Sequence, residues 1–216
     1  MMRISRTVAI VAFMLAGSTH ELHALEDGAP RLFQESYAAE ATGDVAAAVA
    51  ALRRLPIDRR EHYFYQLRLG WLLYLSEQYP ASAVAYRRAI ALAPEAVEPR
   101  LGLLLPLMAN RMWSDAEQTA RAALSIDDGN YLATSRLAFI LFNQGRYAEA
   151  AAQYRRVLDF YPADLEMRAG LGWSLARSGK LSLAQSEFEE ILGVAPSHVS
   201  ARGGVDFVRS ATTREP

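Results

Sequence analysis

The stretch that decides the fold is residues 131–164, which read YLATSRLAFILFNQGRYAEAAAQYRRVLDFYPAD. Apolar residues in it recur at spacings of three and four, as at Leu137 and Leu141, and this period predicts helix and not strand. Gly145 lies midway, where a first helix would end in a left-handed residue. Pro162 then stops a second helix. The stretch therefore predicts two antiparallel helices joined by a short turn.

The same pattern recurs every 34 residues without an insertion. A fixed period of this length indicates a repeat architecture, in which each unit is one supersecondary element. The equivalent leucines of the first helices are Leu69, Leu103, Leu137 and Leu171. Small residues that let two helices approach closely are Ala116, Ala150 and Ala184, and aromatic residues that fill the space beyond them are Tyr86, Tyr154 and Phe188. The prolines that close the units are Pro94, Pro162 and Pro196.

With leucine, glycine, aromatic, alanine and proline residues at these offsets, the unit resembles the tetratricopeptide repeat family. The resemblance implies an all-α fold, a right-handed superhelical α-solenoid of helix-turn-helix repeats. It is strong over 63–198 and extends to a degenerate unit upstream, where Gly43 takes the turn position. The predicted units are a degenerate repeat at 29–62, repeats at 63–96, 97–130, 131–164 and 165–198, and a C-terminal capping helix and tail at 199–216. We expect Gly203 and Gly204 to leave the capping helix partly frayed, because glycine weakens a helix.

Composition excludes several classes of protein. The chain has 216 residues, of which 51% are hydrophobic and 22% charged, so it has the composition of a folded domain and not of a disordered segment. Basic residues number 23 and acidic residues 24, and this balance gives no electrostatic attraction to nucleic acid. The absence of cysteine excludes a disulfide framework, a thiolate nucleophile and a lipid-modified N-terminal cysteine.

The N-terminus has the pattern of a secretory signal peptide. Arg3 and Arg6 precede an uncharged run from Thr7 to Gly17, which is about half the length that a membrane-spanning helix needs. We predict cleavage after Ala24, with cleavage after Ser18 as the alternative. A buried or interfacial N-terminal helix would also fit the run. The pattern predicts a periplasmic or secreted protein with no integral membrane span.

The resemblance implies that the first helices line a concave groove that binds polypeptide segments. The groove positions of the family hold mainly aromatic and aliphatic side chains with sparse guanidinium groups. These candidate partner-binding residues are Trp71, Tyr74, Leu105, Met108, Phe139, Phe142, Trp173, Arg68, Arg136 and Arg177. Such a surface suits an apolar or aromatic polypeptide that carries a carboxylate for arginine to pair with. Tyr37, Phe64 and Phe207 would extend the lining at the two ends.

Two other interpretations of the aromatic residues stand beside this one. The rings could pack between neighbouring repeats as core, although we expect Trp71 and Trp173 to stay accessible. Alternatively, Trp71, Tyr74, Phe139 and Trp173 could be stacking platforms of a polysaccharide-binding accessory protein. The arginine pairs of the second helices, such as Arg87 with Arg88, predict a solvated outer face with ion pairs, or else a patch for an anionic polymer.

No pattern predicts an enzyme, a cofactor or a metal site. The four histidines are scattered, and the sequence has no metal-ligand spacing, phosphate-binding glycine loop or nucleophile elbow. We therefore predict a non-enzymatic protein–protein interaction scaffold of the bacterial cell envelope, in secretion, polysaccharide export or cell-wall assembly. Its partner would be a protein or peptide, and association of identical copies through the array ends is compatible with the pattern.

Overall fold

The computed structural model describes residues 28–213, so the predicted signal peptide lies outside the described residues. Every regular element of the described range is an α-helix, which confirms the all-α prediction. The helices are α1 (Gly28–Ala41), α2 (Val45–Arg53), α3 (Ile57–Arg60), α4 (Tyr63–Leu75), α5 (Tyr79–Leu92), α6 (Glu98–Ala109), α7 (Trp113–Ile126), α8 (Tyr131–Asn143), α9 (Tyr147–Phe160), α10 (Leu165–Arg177), α11 (Leu181–Val194) and α12 (Val199–Thr212).

The helices stack as pairs in chain order. In each pair a first helix packs on a second, as α4 on α5 and α8 on α9, and the second helix then packs on the first helix of the next pair. Successive first helices from α4 to α12 also contact one another. Each pair thus buries its apolar face against its two neighbours, which is how a linear array obtains a continuous core.

Left-handed residues end the first helices, as the glycine pattern predicted. Gly43, Gly145 and Gly179 have φ of 82°, 77° and 79°. Glu77 and Arg111 take the equivalent positions with φ of 58° and 56°, although a residue with a Cβ pays a steric penalty in this conformation. The turn geometry therefore belongs to the repeat and holds even where the sequence lacks glycine.

Aromatic rings of the second helices pack against glycines sixteen residues further on. A Cβ added to Gly102 would lie 2.2 Å from the ring of Tyr86, and one added to Gly204 would lie 2.3 Å from the ring of Phe188. Tyr154 meets Gly170 in the same way. Two further units have an aliphatic residue in place of the aromatic ring and an arginine in place of the glycine. These pairs are Leu52 with Arg68 and Ala120 with Arg136.

The prediction that the capping helix is partly frayed is wrong. Helix α12 runs without interruption through Gly203 and Gly204, and Gly204 is buried against Phe188. Only a residue without a Cβ allows this close approach. The tertiary contact therefore outweighs the low helix propensity of the two glycines.

The first repeat joins the array differently from the others. No pair of Cα atoms from α1 and α4 lies within 8 Å, and the short helix α3 is inserted before α4. The repeat is held by the packing of α2 on α4 and by side chains that cross from α4 to α1. This wider spacing opens a pocket between the two first helices.

Candidate functional site

The N-terminal pocket occupies the gap between α1 and α4. It has a volume of about 570 Å³ and is lined by Phe33, Tyr37, Glu40, Phe64, Leu67, Arg68 and Trp71. Tyr37 is 56% exposed and Phe64 62% exposed, so two large rings face solvent at its rim. The pocket is mostly apolar, and its charged groups lie at its floor.

The floor of the N-terminal pocket is an internal ion pair. Arg68 is buried, donates to the Ser36 hydroxyl at 3.3 Å and to the Ser36 carbonyl at 3.0 Å, and pairs with Glu40. The indole of Trp71 donates to the other Glu40 oxygen at 2.6 Å. Burial raises the pKa of Glu40, but the hydrogen bonds from Trp71 and Arg68 outweigh it and leave the pKa below its ordinary value.

Arg68, one of the candidate partner-binding residues, lines the N-terminal pocket with a guanidinium that already has internal partners. Its charge is already neutralised by Glu40, and its guanidinium carbon lies 3.8 Å from the centre of the Tyr37 ring. Arg68 positions the aromatic wall of the pocket and ties α4 to α1. No sequence pattern pointed directly to this role, because Ser36 and Glu40 lie in the degenerate repeat, where they fall outside the 34-residue pattern.

The C-terminal pocket lies between α8, α10 and α12. Its volume is about 430 Å³, and its lining is Phe139, Phe142, Tyr154, Glu166, Ala169, Gly170, Trp173, Arg177 and Ser200. Phe139 is 44% exposed, whereas Trp173 is half-buried, donates to the Ser200 hydroxyl at 3.0 Å and packs edge-on against Phe188. Burial raises the pKa of Tyr154 to about 12, so its hydroxyl stays protonated. The pocket thus joins aromatic surfaces with a few polar groups.

A third, central pocket shares a wall with the C-terminal one. It measures about 350 Å³ and is lined by Met108, Ser135, Arg136, Phe139, Tyr154, Glu166 and Met167. Arg136 is half-buried and donates to the Leu101 carbonyl at 2.6 Å. Burial lowers the pKa of Arg136, against the opposing influence of Tyr74 and Tyr86. Among the residues that the structure describes, no carboxylate forms an ion pair with this guanidinium.

The remaining candidate residues are divided between the groove wall and the core edge. Tyr74 packs against Trp71 and Tyr79. Leu105 and Met108 are half-buried on α6, and Met108 lines the central pocket. Arg177 is exposed, and its guanidinium carbon lies 5.4 Å from the centre of the Phe207 ring. Trp71 and Trp173 are half-buried, so each indole belongs partly to the core and partly to the groove.

Sequence reasoning missed several lining residues. Phe33 lies in the degenerate repeat, and Ser200 lies on the capping helix. Glu166 is 77% exposed by its side chain and lies 3.3 Å from His198 Nε2. Glu166 is the second residue of its unit, as Phe64 is of another unit. Because Phe64 was expected to extend the groove lining, this shared position could have identified Glu166. The pockets therefore contain two acidic groups, Glu40 and Glu166, that the sequence analysis did not predict.

The outer face carries ion pairs. Arg88 pairs with Glu61, Arg87 lies 3.6 Å from Asp115, and Arg156 lies 2.7 Å from Asp128. These contacts match the predicted solvated face with ion pairs, and exposed pairs of this kind contribute little to stability. Within 28–213 no helix is long and apolar enough to cross a membrane, and no cluster of acidic, histidine or cysteine side chains could hold a metal ion.

Comparisons with known proteins agree with this architecture. The sequence profile described as tetratricopeptide repeat matches residues 107–172. A tetratricopeptide repeat protein from Parabacteroides merdae superposes with a TM-score of 0.76 at 14% identity, over 86% of this chain and 73% of that one. The fold is that of a tetratricopeptide-repeat solenoid.

Other solved and curated proteins resemble parts of the tetratricopeptide-repeat array. YrrB, described as a TPR protein with an unusual peptide-binding site, superposes with a TM-score of 0.72 at 16% identity, over 86% of this chain and 95% of that one. In sequence, the CTR9 homolog of Arabidopsis thaliana is 26% identical over 126 residues, which are 58% of this chain. The match covers 12% of that plant protein. At these identities the structural likeness establishes the fold.

Proposed function

We propose that the array is a non-enzymatic scaffold that holds a polypeptide segment in its concave aromatic groove. The observation that carries this proposal is that three of the five exposed aromatic rings of the described residues, Tyr37, Phe64 and Phe139, line the pockets formed by the first helices. Exposed apolar patches with a polar rim are typical of interaction sites. Aromatic residues are also enriched among the anchors of protein interfaces. The peptide-binding site of YrrB supports the same use of this fold.

Photo-crosslinking from the groove tests the proposal. We replace Phe139 with a benzophenone amino acid in producing cells, and Leu183 serves as the matched control, since it is 54% exposed on α11 and lines none of the pockets. The expected result is a polypeptide adduct from position 139 that is absent from position 183 and is lost when Phe64 and Trp173 are both replaced by alanine. Equal adducts from both positions, or adducts with polysaccharide alone, would overturn the proposal; the latter would favour a polysaccharide-binding accessory protein.

We further propose that the scaffold works in the bacterial cell envelope as a periplasmic or secreted protein, in secretion, polysaccharide export or cell-wall assembly. Support comes from Arg3 and Arg6 followed by the uncharged run that begins at Thr7, the layout of a signal peptide. We expect cell fractionation to recover the protein outside the cytoplasm, with Leu25 as its first residue by N-terminal sequencing. A cytoplasmic protein that retains Arg3 would contradict this localisation.

A further inference from the structure

Arg136 differs from Arg68 and Arg168, two other arginines of the first helices whose side chains are largely removed from solvent. Arg68 is neutralised by Glu40, and Arg168 pairs with Glu187 at 3.0 Å and Glu190 at 2.8 Å. Arg136 is half-buried at the wall of the central pocket, and its hydrogen-bond partner is the neutral carbonyl of Leu101. Glu166 lines the same pocket, but its carboxylate lies beside His198, and no described carboxylate forms an ion pair with Arg136. A partly desolvated guanidinium without an ion-pair partner binds a carboxylate strongly, because a charge-assisted pair restores the interactions lost on burial.

Apolar pockets lie on both sides of Arg136 along the groove. The N-terminal pocket is formed by α1 and α4, two first helices before α8, and the C-terminal pocket extends to α10, one first helix after it. A chain that fills both pockets must continue past Arg136 in both directions. The carboxylate that reaches this guanidinium therefore belongs to a side chain within the segment and not to a chain terminus.

The helix spacing sets the distance between the anchors. Packed helix axes lie about 9 Å apart, so α4 is about 18 Å from α8, and α10 is about 9 Å from it. An extended chain advances about 3.3 Å per residue. The two distances correspond to about six residues on the side of the N-terminal pocket and about three residues on the side of the C-terminal pocket.

We infer that the groove recognises an internal motif in which an aspartate or glutamate binds Arg136 between two apolar anchors. One anchor, about six residues away, fills the pocket of Phe33, Phe64 and Trp71; the other, about three residues away, stacks in the pocket of Phe139 and Trp173. Glu166 lies in the same central pocket and disfavours a second acidic residue beside the first. The inference rests on the proposed polypeptide-binding function and specifies its ligand.

Selection from a displayed peptide library tests the motif. The probe is a library of random peptides of about 16 residues, fused at their C-terminal ends so that no free terminal carboxylate is offered, and the target is the 216-residue chain. We expect enrichment of one acidic residue with apolar residues at these two spacings. Selection on Arg136→Gln is expected to keep the apolar anchors and lose the acidic residue, while Arg136→Lys retains it.

Binding of one selected peptide, measured by fluorescence anisotropy, completes the test. Replacing its acidic residue by the amide is expected to weaken binding about tenfold to the original chain and not at all to Arg136→Gln. Peptides that are retained by aromatic anchors but show no preference for an internal acid would overturn the motif and leave the proposed function standing. Absence of any peptide that depends on Phe139 and Trp173 would overturn both. Thermal melting of each variant checks that it is folded.

Discussion

Replacing Gly204 by alanine is expected to destabilise the array by about 2 kcal/mol, whereas the same change at Gly203 stabilises it by about 1 kcal/mol. The two glycines are neighbours in α12, so their intrinsic helix propensities are equal. A Cβ at 204 would lie 2.3 Å from the buried ring of Phe188, whereas one at 203 has its nearest neighbour in Trp173 at 3.9 Å. The difference between the variants therefore isolates the packing cost.

Thermal denaturation followed by circular dichroism measures both effects. For a chain of this size, about 2 kcal/mol corresponds to a fall in Tm of about 6 °C. Combining Gly204→Ala with Phe188→Leu is expected to cost less than the sum of the two single changes, since leucine lacks the ring atoms that a Cβ at 204 would meet. Equal melting temperatures for the Gly203 and Gly204 variants would show that α12 does not pack against Phe188 as described.

Removing the guanidinium of Arg68 is expected to release the first repeat. In Arg68→Met, the Glu40 carboxylate loses its counter-charge and Ser36 loses two hydrogen bonds, at a cost of about 2 kcal/mol because the Glu40 side chain is 25% exposed. Because α1 has no close backbone contact with α4, the lost interaction energy weakens the packing of α1 on the array. Amide hydrogen exchange should rise in α1 and remain unchanged in α8 through α11.

The same ion pair predicts a dependence on pH. The pKa of Glu40 in the folded chain lies below its ordinary value of 4.5, so the pair stabilises fully above pH 4.5 and is lost as the pH falls through the lower folded value. Acidification should therefore lower the protection factors of the α1 amides in the original chain, that is, raise their exchange rates relative to the intrinsic rates at the same pH. The control is Glu40→Gln, in which α1 should be less protected at neutral pH and should lose this acid-dependent change. An unchanged acid response in the control would contradict the assignment to Glu40.

The period of 34 residues predicted most of the fold because it records contacts within a unit and between adjacent units. The left-handed turn at Gly145 and the buried Ala150 and Tyr154 all follow from a single unit. The ion pair of Arg68 could not be predicted in this way, because Glu40 and Ser36 lie in the unit that departs from the pattern. The aromatic positions that line the pockets were predictable from the period, whereas the exposure of each ring depends on helix spacing.

The capping helix shows where local propensity led to the wrong expectation. Two adjacent glycines predict fraying when α12 is considered alone, but Gly204 follows Phe188 by the same sixteen residues that separate Tyr86 from Gly102. That recurrence was visible in the sequence. It indicates that the helix after each aromatic residue needs a glycine to accommodate the ring. Helix propensity alone does not include this contact between helices.

The sixteen-residue pairs also limit how the groove can evolve. An arginine enters the wall after Leu52 and after Ala120, where no ring precedes it, and glycine follows each aromatic residue at this separation. A mutation that adds a cation at position 102 must therefore be accompanied by loss of the Tyr86 ring. The positions at which an arginine can enter the wall therefore depend on the volumes of interior side chains, so the charge of this face and the composition of the core change together.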